Sequence, residues 1–305
     1  MKPDLPALNA ELCLALSEVM DKETTSPVDP DAAKAIAGGS ISRALLVRHG
    51  SRPYFVKLNE GSRADLFAAE ADGLRALAAC PTLRVPRVFG HGVAGGEAFL
   101  VLEYLTLQPL RDRAHGVAAG HALATLHRMQ GAEFGWPRDN FIGSTPQHNT
   151  AQRTWPLFFA RQRLLPQLQL AKANGQPARL ITSGERLAGK LPALFVDHQP
   201  QPSLLHGDLW SGNAAIDEAG MLTLFDPAVH FGDREADLAM CELFGGFPDS
   251  FYAAYREAWP LDDGFEQRKT VYNLYHVLNH LNLFGGGYLG QAERMITRLL
   301  AELGG

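Results

Sequence analysis

The segment His206-Gly207-Asp208-Leu209-Trp210-Ser211-Gly212-Asn213, followed by Leu224-Phe225-Asp226-Pro227, constrains this chain more than any other feature. It sets out an Asp, an Asn five residues later, and a second Asp at the end of a short apolar run. Ala214–Asp217 and Met221–Phe225, around the turn Asp217-Glu218-Ala219-Gly220, read as two short paired strands. A loop that runs into such a hairpin gathers Asp208, Asn213 and Asp226 around one point. Phosphoryl transfer needs this set: a carboxylate to receive or orient the proton of an attacking hydroxyl, and two oxygen ligands to hold magnesium against phosphates. Asp208 is then the base, and Asn213 and Asp226 are the metal ligands. The competing reading is an Asx-turn loop with a solvated Asp, but the order of residues and the strand context favour the chemical one.

A second pair lies upstream. In Tyr54-Phe55-Val56-Lys57-Leu58-Asn59, Lys57 shares a strand face with Phe55. On the helix that follows, Phe67, Glu70, Leu74 and Leu77 recur at three- and four-residue spacing, which places Glu70 inside an apolar stripe. A carboxylate there is costly unless paired, and Lys57 is the natural partner. The ammonium then serves the phosphates of a nucleotide. Gly38-Gly39-Ser40 lies between two expected strands, upstream of Lys57. It can bring backbone N–H groups close to phosphate, although a Gly-Gly pair is often only a turn. Glu103-Tyr104 ends another apolar strand where two lobes would join, a place for adenine to meet backbone.

Other residues carry weaker signals. Trp210 either stacks on a sugar or fills a gap. His206 reads as a brace for its loop rather than a proton carrier, and Asp237 as a helix-start charge or a loop brace. Arg161 and Arg163 could bind an anionic substrate, but read rather as structural or solvated. His276 and His280 lack the glutamate of a zincin helix and read as helix-face residues.

Strand patterns dominate up to about Leu105, with helices at about 5–20 and 63–79, and helical patterns dominate afterwards. The expected fold is therefore α+β and bilobal: an N-terminal lobe over 1–104 and a helical C-terminal lobe over 105–305, joined near Glu103–Pro109. The net charge of -5 and pI near 6.1 argue against a nucleic-acid surface. Three scattered cysteines, Cys13, Cys80 and Cys241, fit neither a metal site nor a disulfide framework and suit a reducing cytoplasm. No signal peptide or membrane-length apolar run is evident.

Leu204–Asn213, Leu224–Ala228, Met240–Tyr255 and Tyr272–Tyr288, with Phe158–Leu168 and the order Gly38–Ser42, Phe55–Lys57, Glu70, together resemble the fructosamine-3-kinase/ketosamine-3-kinase family. The likeness runs from about Ile36 to Leu300. It implies a protein-kinase-like fold related to aminoglycoside phosphotransferases, with ATP and Mg2+ as cofactors. The implied reaction is phosphorylation of the C3 hydroxyl of ketosamines, free or on protein, after which phosphate is readily eliminated and the amine released. By the same likeness Asp208, Asn213, Asp226, Lys57 and Glu70 fall on catalytic and ATP-site positions, and Trp210 on a substrate-pocket tryptophan. Some relatives carry a cysteine in the glycine-rich loop that links two chains. Ser40 stands at that position, so a monomer or weak dimer without that bridge is expected. The alternatives are another small-molecule kinase of this fold, acting on an aminoglycoside, choline or homoserine-like substrate, and a kinase-like binding module without turnover.

Overall fold

The computed structural model describes residues 8–20, 26–36 and 41–304. Gly38, Gly39 and Ser40, the expected phosphate-covering loop, lie outside the described residues. The chain divides into two compact units. One comprises the chain through Ala79 together with Val85–Leu107, and the other comprises Cys80–Arg84 with Gln108 onward.

The first unit contains helix α1 (Ala10–Val19), strands β1 (Ala33–Ala35), β2 (Arg43–His49) and β3 (Arg52–Glu60), helix α2 (Ala64–Leu77), and strands β4 (Val88–Ala94) and β5 (Glu97–Glu103). The strands form one antiparallel sheet in the order β1-β2-β3-β5-β4. The β2–β3 connection is a tight turn, with Gly50 at φ 59°, a conformation glycine adopts without a Cβ penalty. α1 begins at Asn9, whose side chain accepts from the Leu12 N–H at 2.9 Å. The spacing Leu8, Leu12, Leu16 is the buried face of this helix. It joins Leu45, Val47, Val56, Leu58 and Val101 in one core. α2 buries Phe67, Glu70, Leu74 and Leu77, so the predicted stripe is the real one.

The second unit contains α3 (Arg113–His127), β6 (Asn140–Ile142), β7 (Thr145–Gln147), α4 (Trp155–Phe159), α5 (Leu165–Ala173), α6 (Ala178–Lys190), β8 (Ser203–Leu205), β9 (Ala214–Ile216), β10 (Leu222–Leu224), β11 (His230–Gly232), α7 (Glu235–Leu243), α8 (Asp249–Ala258), α9 (Phe265–Phe284) and α10 (Leu289–Glu302). α4 and α5 are joined by a π turn, Ala160–Leu164, so they form one irregular helical run. α9 is buried on almost every face, with Val271, Tyr272, Leu274, Val277, Leu278 and Leu281 inside. Such a helix is a core element, not an amphipathic surface one. The strands are three two-stranded pieces: β6 with β7, β9 with β10, and β8 with β11. The β9–β10 hairpin was expected, whereas the β8–β11 and β6–β7 pairs were not. α3 starts at Arg113 because Asp112 caps it, accepting from the His115 N–H at 2.9 Å. Among the described residues no helix is long and apolar enough to cross a membrane.

Candidate active site

β8 delivers the chain to His206, and β11 lies antiparallel beside it, pairing Leu205 with His230. The 206–213 loop then opens and closes onto β9. Its conformation is held from beneath by Asp237, in the first turn of α7. One carboxylate oxygen accepts from the His206 backbone N–H at 2.7 Å and the other from the Gly207 N–H at 2.9 Å. His127 adds a third contact to Asp237 at 3.2 Å, and its other ring nitrogen meets the Tyr255 hydroxyl at 2.8 Å. Burial pushes the Asp237 carboxyl upward, but the His127 contact, the electrostatics of the two neighbouring imidazoles and the Gly207 N–H outweigh it, so its pKa lies below the usual value. Asp237 is 2% exposed, so a charge is kept there only because these donors surround it. Gly207 has φ 83°, and a Cβ on it would lie 2.1 Å from the Ala228 carbonyl oxygen. No other residue fits this bend.

His206 is fully buried and accepts from the Asp208 N–H through Nδ1 at 3.2 Å. Its Nε2 lies 3.0 Å from the Phe225 carbonyl, to which it donates. These two bonds fix a neutral tautomer with the proton on Nε2, and burial depresses the pKa in the same direction. The ring thus ties the loop to the residue before Asp226.

Asn213 donates from Nδ2 to the Asp208 backbone oxygen at 2.9 Å and to the Asp208 carboxylate at 3.1 Å. That leaves Oδ1 as the atom of Asn213 suited to a cation. The β9–β10 register sets Leu224 against Ala214, and the Phe225 N–H donates to the Asn213 carbonyl at 3.1 Å. Asp226 therefore follows directly beside Asn213. It has φ 57°, and among the described residues it is the one non-glycine with positive φ. Backbone held in that region costs about 1–3 kcal/mol and clusters at functional sites. The half-buried Asp208 carboxyl is pushed up to about 7, first by burial and then by the Asp226 charge, against the bond from Asn213. The loop and hairpin bring Asp208, Asn213 and Asp226 together, with oxygen donors of the kind magnesium prefers.

In the first unit, Lys57 on β3 and Glu70 on α2 form a buried ion pair, Nζ to Oε1 at 2.7 Å, with side-chain exposures of 11% and 9%. Glu103 ends β5. Its N–H donates to the Arg87 carbonyl at 2.8 Å, its carboxylate accepts from the Arg87 N–H at 3.3 Å, and Tyr104 beyond it is exposed. Trp210 is half-buried, with its ring over Gly212, and packs edge-on against Phe244 at 6.3 Å. Arg163 is buried in the π turn, donating to the His148 carbonyl at 2.5 Å and the Asn149 side chain at 2.8 Å, so it is structural.

A different cluster has metal-like spacing. Ligand atoms of His198, Asp233 and Glu235 lie within 4.8 Å of one another. Their bonds are already committed: His198 contacts Asp233 and Asp262 at 2.8 Å each, Tyr272 donates to Asp233 at 2.6 Å, and Arg268 holds Glu235 at 2.7 and 2.8 Å. Arg268 and a doubly hydrogen-bonded His198 supply the positive charge that a metal would bring, so this is an ion-pair network at the base of α7.

A sequence model of the fructosamine kinase family matches residues 13–302. A Synechocystis protein named "Probable ketoamine kinase" is 43% identical over 290 residues, covering 93% of this chain and 96% of its own length. A Vibrio cholerae protein of the same name is 44% identical over 267 residues, covering 87% and 91%. Among solved structures, a Haemophilus somnus protein assigned as a fructosamine-3-kinase superposes with a TM-score of 0.82 at 31% identity, over 93% of this chain and 96% of its own. An aminoglycoside phosphotransferase, solved with ADP and hygromycin B, superposes with a TM-score of 0.61 at 17% identity, over 89% and 92%, and shares the bilobal protein-kinase-like fold. With the family pattern spanning nearly the whole chain, this protein belongs to the fructosamine kinase family and is a phosphotransferase of protein-kinase-like fold.

Proposed function

We propose that this enzyme transfers the γ-phosphoryl group of ATP, with Mg2+, to the C3 hydroxyl of ketosamines. The observation that carries the reading is the Asp208–Asn213–Asp226 constellation, with Asp226 held at φ 57°, in a chain of this family. Asp208 is the base. Its carboxylate is fixed by Asn213, and it takes the proton of the attacking hydroxyl as the new O–P bond forms. Asn213 through Oδ1, and Asp226, are the residues that would hold magnesium. The donor set is all oxygen, and the Asn213 amide is already oriented by its Nδ2 bonds. When bound, the metal neutralises charge on the phosphate oxygens. Lys57, held by Glu70, is assigned to the ATP phosphates, and Gly38, Gly39 and Ser40 to covering them. Glu103 and Tyr104 are assigned to the adenine. The Glu103 N–H is already taken by Arg87, which leaves that role to other backbone groups of the segment.

The chemistry of the product gives the reaction its purpose. A ketosamine carries its amine on C1 and a ketone at C2. Enolisation between C1 and C2 makes a C3 phosphate allylic. Phosphate leaves with the electron pair, and the resulting C1 imine hydrolyses, releasing the amine and a 3-deoxy dicarbonyl. Phosphorylation at C3 would thus convert a stable glycation adduct into one that falls apart.

The test is mass spectrometry of reactions with ATP, Mg2+ and fructosyl- and ribulosyl-lysine beside aminoglycosides, choline and homoserine. The expected result is a phosphate adduct on the ketosamines. Phosphate transfer only to another class would replace the substrate reading and keep the kinase reading. No transfer to any acceptor would favour a binding module without turnover.

A further inference from the structure

An open ladder of aromatic rings begins two residues beyond Asp208. Trp210 meets Phe244 edge-on at 6.3 Å, and Phe244 meets His280 at 4.7 Å. His280 in turn meets Tyr288 at 5.2 Å and Phe284 at 5.4 Å. All lie in the second unit. The core cluster of Trp155, Phe158, Phe159 and Tyr272 has comparable ring spacings, but its members are nearly inaccessible to solvent. Trp210, Phe244, His280 and Tyr288 are each half-buried, and Phe284 is 58% exposed. Each ring of the ladder therefore keeps part of its surface open to solvent.

The rings are held in place. Phe244 ends α7, and Gly245 and Gly246 follow at φ 99° and 73°, turning the chain sharply away. The Tyr252 hydroxyl pins that turn by accepting from the Phe247 N–H at 3.0 Å and donating to the Cys241 carbonyl at 3.2 Å. His280 donates from Nδ1 to the His276 carbonyl at 2.8 Å, which fixes its ring and, in the neutral form, leaves Nε2 as an acceptor. The Trp210 ring sits where a side chain at Gly212 would be, since a Cβ there would lie 2.3 Å from it. The nearby acid Glu242 is bound to Lys269 at 2.8 Å. What the ladder offers is aromatic surface, and the faces of such rings attract cations through their quadrupoles.

We propose that the Trp210 end of the ladder, Trp210 with Phe244, receives the protonated amine of the substrate, with His280 and Tyr288 backing Phe244, so that the enzyme selects a cationic nitrogen as well as a sugar. The inference rests on the ketosamine reading above. In a ketosamine the C1 nitrogen and the C3 oxygen are four bonds apart, at most about 5 Å. A C3 hydroxyl at Asp208 therefore carries its ammonium to the neighbourhood where Trp210 begins the ladder. Aliphatic walls would serve the sugar equally well but would leave a desolvated ammonium uncompensated.

The test compares a 1-alkylamino-1-deoxyfructose with its 1-alkoxy isostere, which keeps the sugar, the ketone and the length but has no charge. In the native enzyme the amine should have the higher kcat/KM by about 3- to 30-fold, the range of a partly desolvated cation–π contact. In Phe244→Leu the ratio should shrink towards one, and in His280→Leu and Tyr288→Leu, which act through Phe244, it should shrink by less. Because the ratio is taken within each protein, a general loss of activity or stability does not move it. Equal use of amine and ether by the native enzyme, or a ratio unchanged in Phe244→Leu, overturns this inference and spares the ketosamine reading. Phosphorylation of neither compound removes both.

Discussion

Asp208→Asn should leave a protein that is catalytically disabled and more stable. The Asp208 carboxyl is pushed from an ordinary 3.8 to about 7 by burial and by the Asp226 charge. A rise of ~3 units, at ~1.36 kcal/mol per unit, sets a ceiling of ~4 kcal/mol on what the ionised form costs the native state at alkaline pH. The side chain is only half-buried, and solvent screening brings the expected net to about 1–2 kcal/mol. Because the folded pKa is raised, the cost is absent below pH 3.8 and grows as pH rises through 7. The asparagine amide has nearly the same shape and no charge. In EDTA, where no metal offsets Asp226, its melting temperature should exceed that of the native protein by about 2–3 °C at pH 8. The gap should close towards pH 5. Turnover should fall by about 100-fold or more, the usual contribution of a positioned general base. A variant no more stable at pH 8 than the native protein, or a gap indifferent to pH, would refute the electrostatic argument. Retained turnover would refute the role of base.

Three further outcomes are expected. Lys57→Met deprives the buried Glu70 carboxylate of its 2.7 Å ammonium partner and should cost about 3–5 kcal/mol in urea melts. The double variant Lys57→Met/Glu70→Leu should recover most of that stability while nucleotide affinity, read by calorimetry, stays lost. Asp237→Ala strips the acceptor from the His206 and Gly207 N–H groups and should cost about 2–4 kcal/mol, with kcat falling more than KM for ATP rises. Burial works to lower the pKa of His198, but Asp233 and Glu235 outweigh it and hold it raised. Its contribution to stability is therefore full below 6.5 and lost as pH rises through the higher folded value. Denaturant midpoints of native protein and His198→Gln should differ most near pH 6 and converge on the alkaline side.

The features legible in the sequence are those whose physics is local. Asp208, Asn213 and Asp226 are close enough along the chain for one loop and one hairpin to join them. The buried pairing of Lys57 with Glu70 follows from a two-residue and a three-to-four-residue period meeting a cost of burial. The α2 stripe follows in the same way. What was hidden depends on contacts distant in sequence. Asp237 looked like a helix-start charge as readily as a brace, because its partners, His206 and Gly207, sit on another element. The three-residue strands β8 and β11 are too short to show a period, and only tertiary pairing defines them. The aromatic ladder draws Trp210, Phe244, His280 and Tyr288 from four separate segments, and no single segment reveals the others. The φ 57° of Asp226 has no sequence signature beyond the tolerance of Asp for that region.

The central claim, transfer of phosphate to the C3 oxygen of a ketosamine, is tested most directly by 31P–1H correlation NMR of the product formed from fructosyl-lysine with ATP and Mg2+. The account predicts one new phosphomonoester signal coupled to the C3 proton, followed by its decay into inorganic phosphate and free lysine. A phosphorus coupled to any other sugar proton, or a spectrum in which only ATP and its hydrolysis products appear, would contradict it.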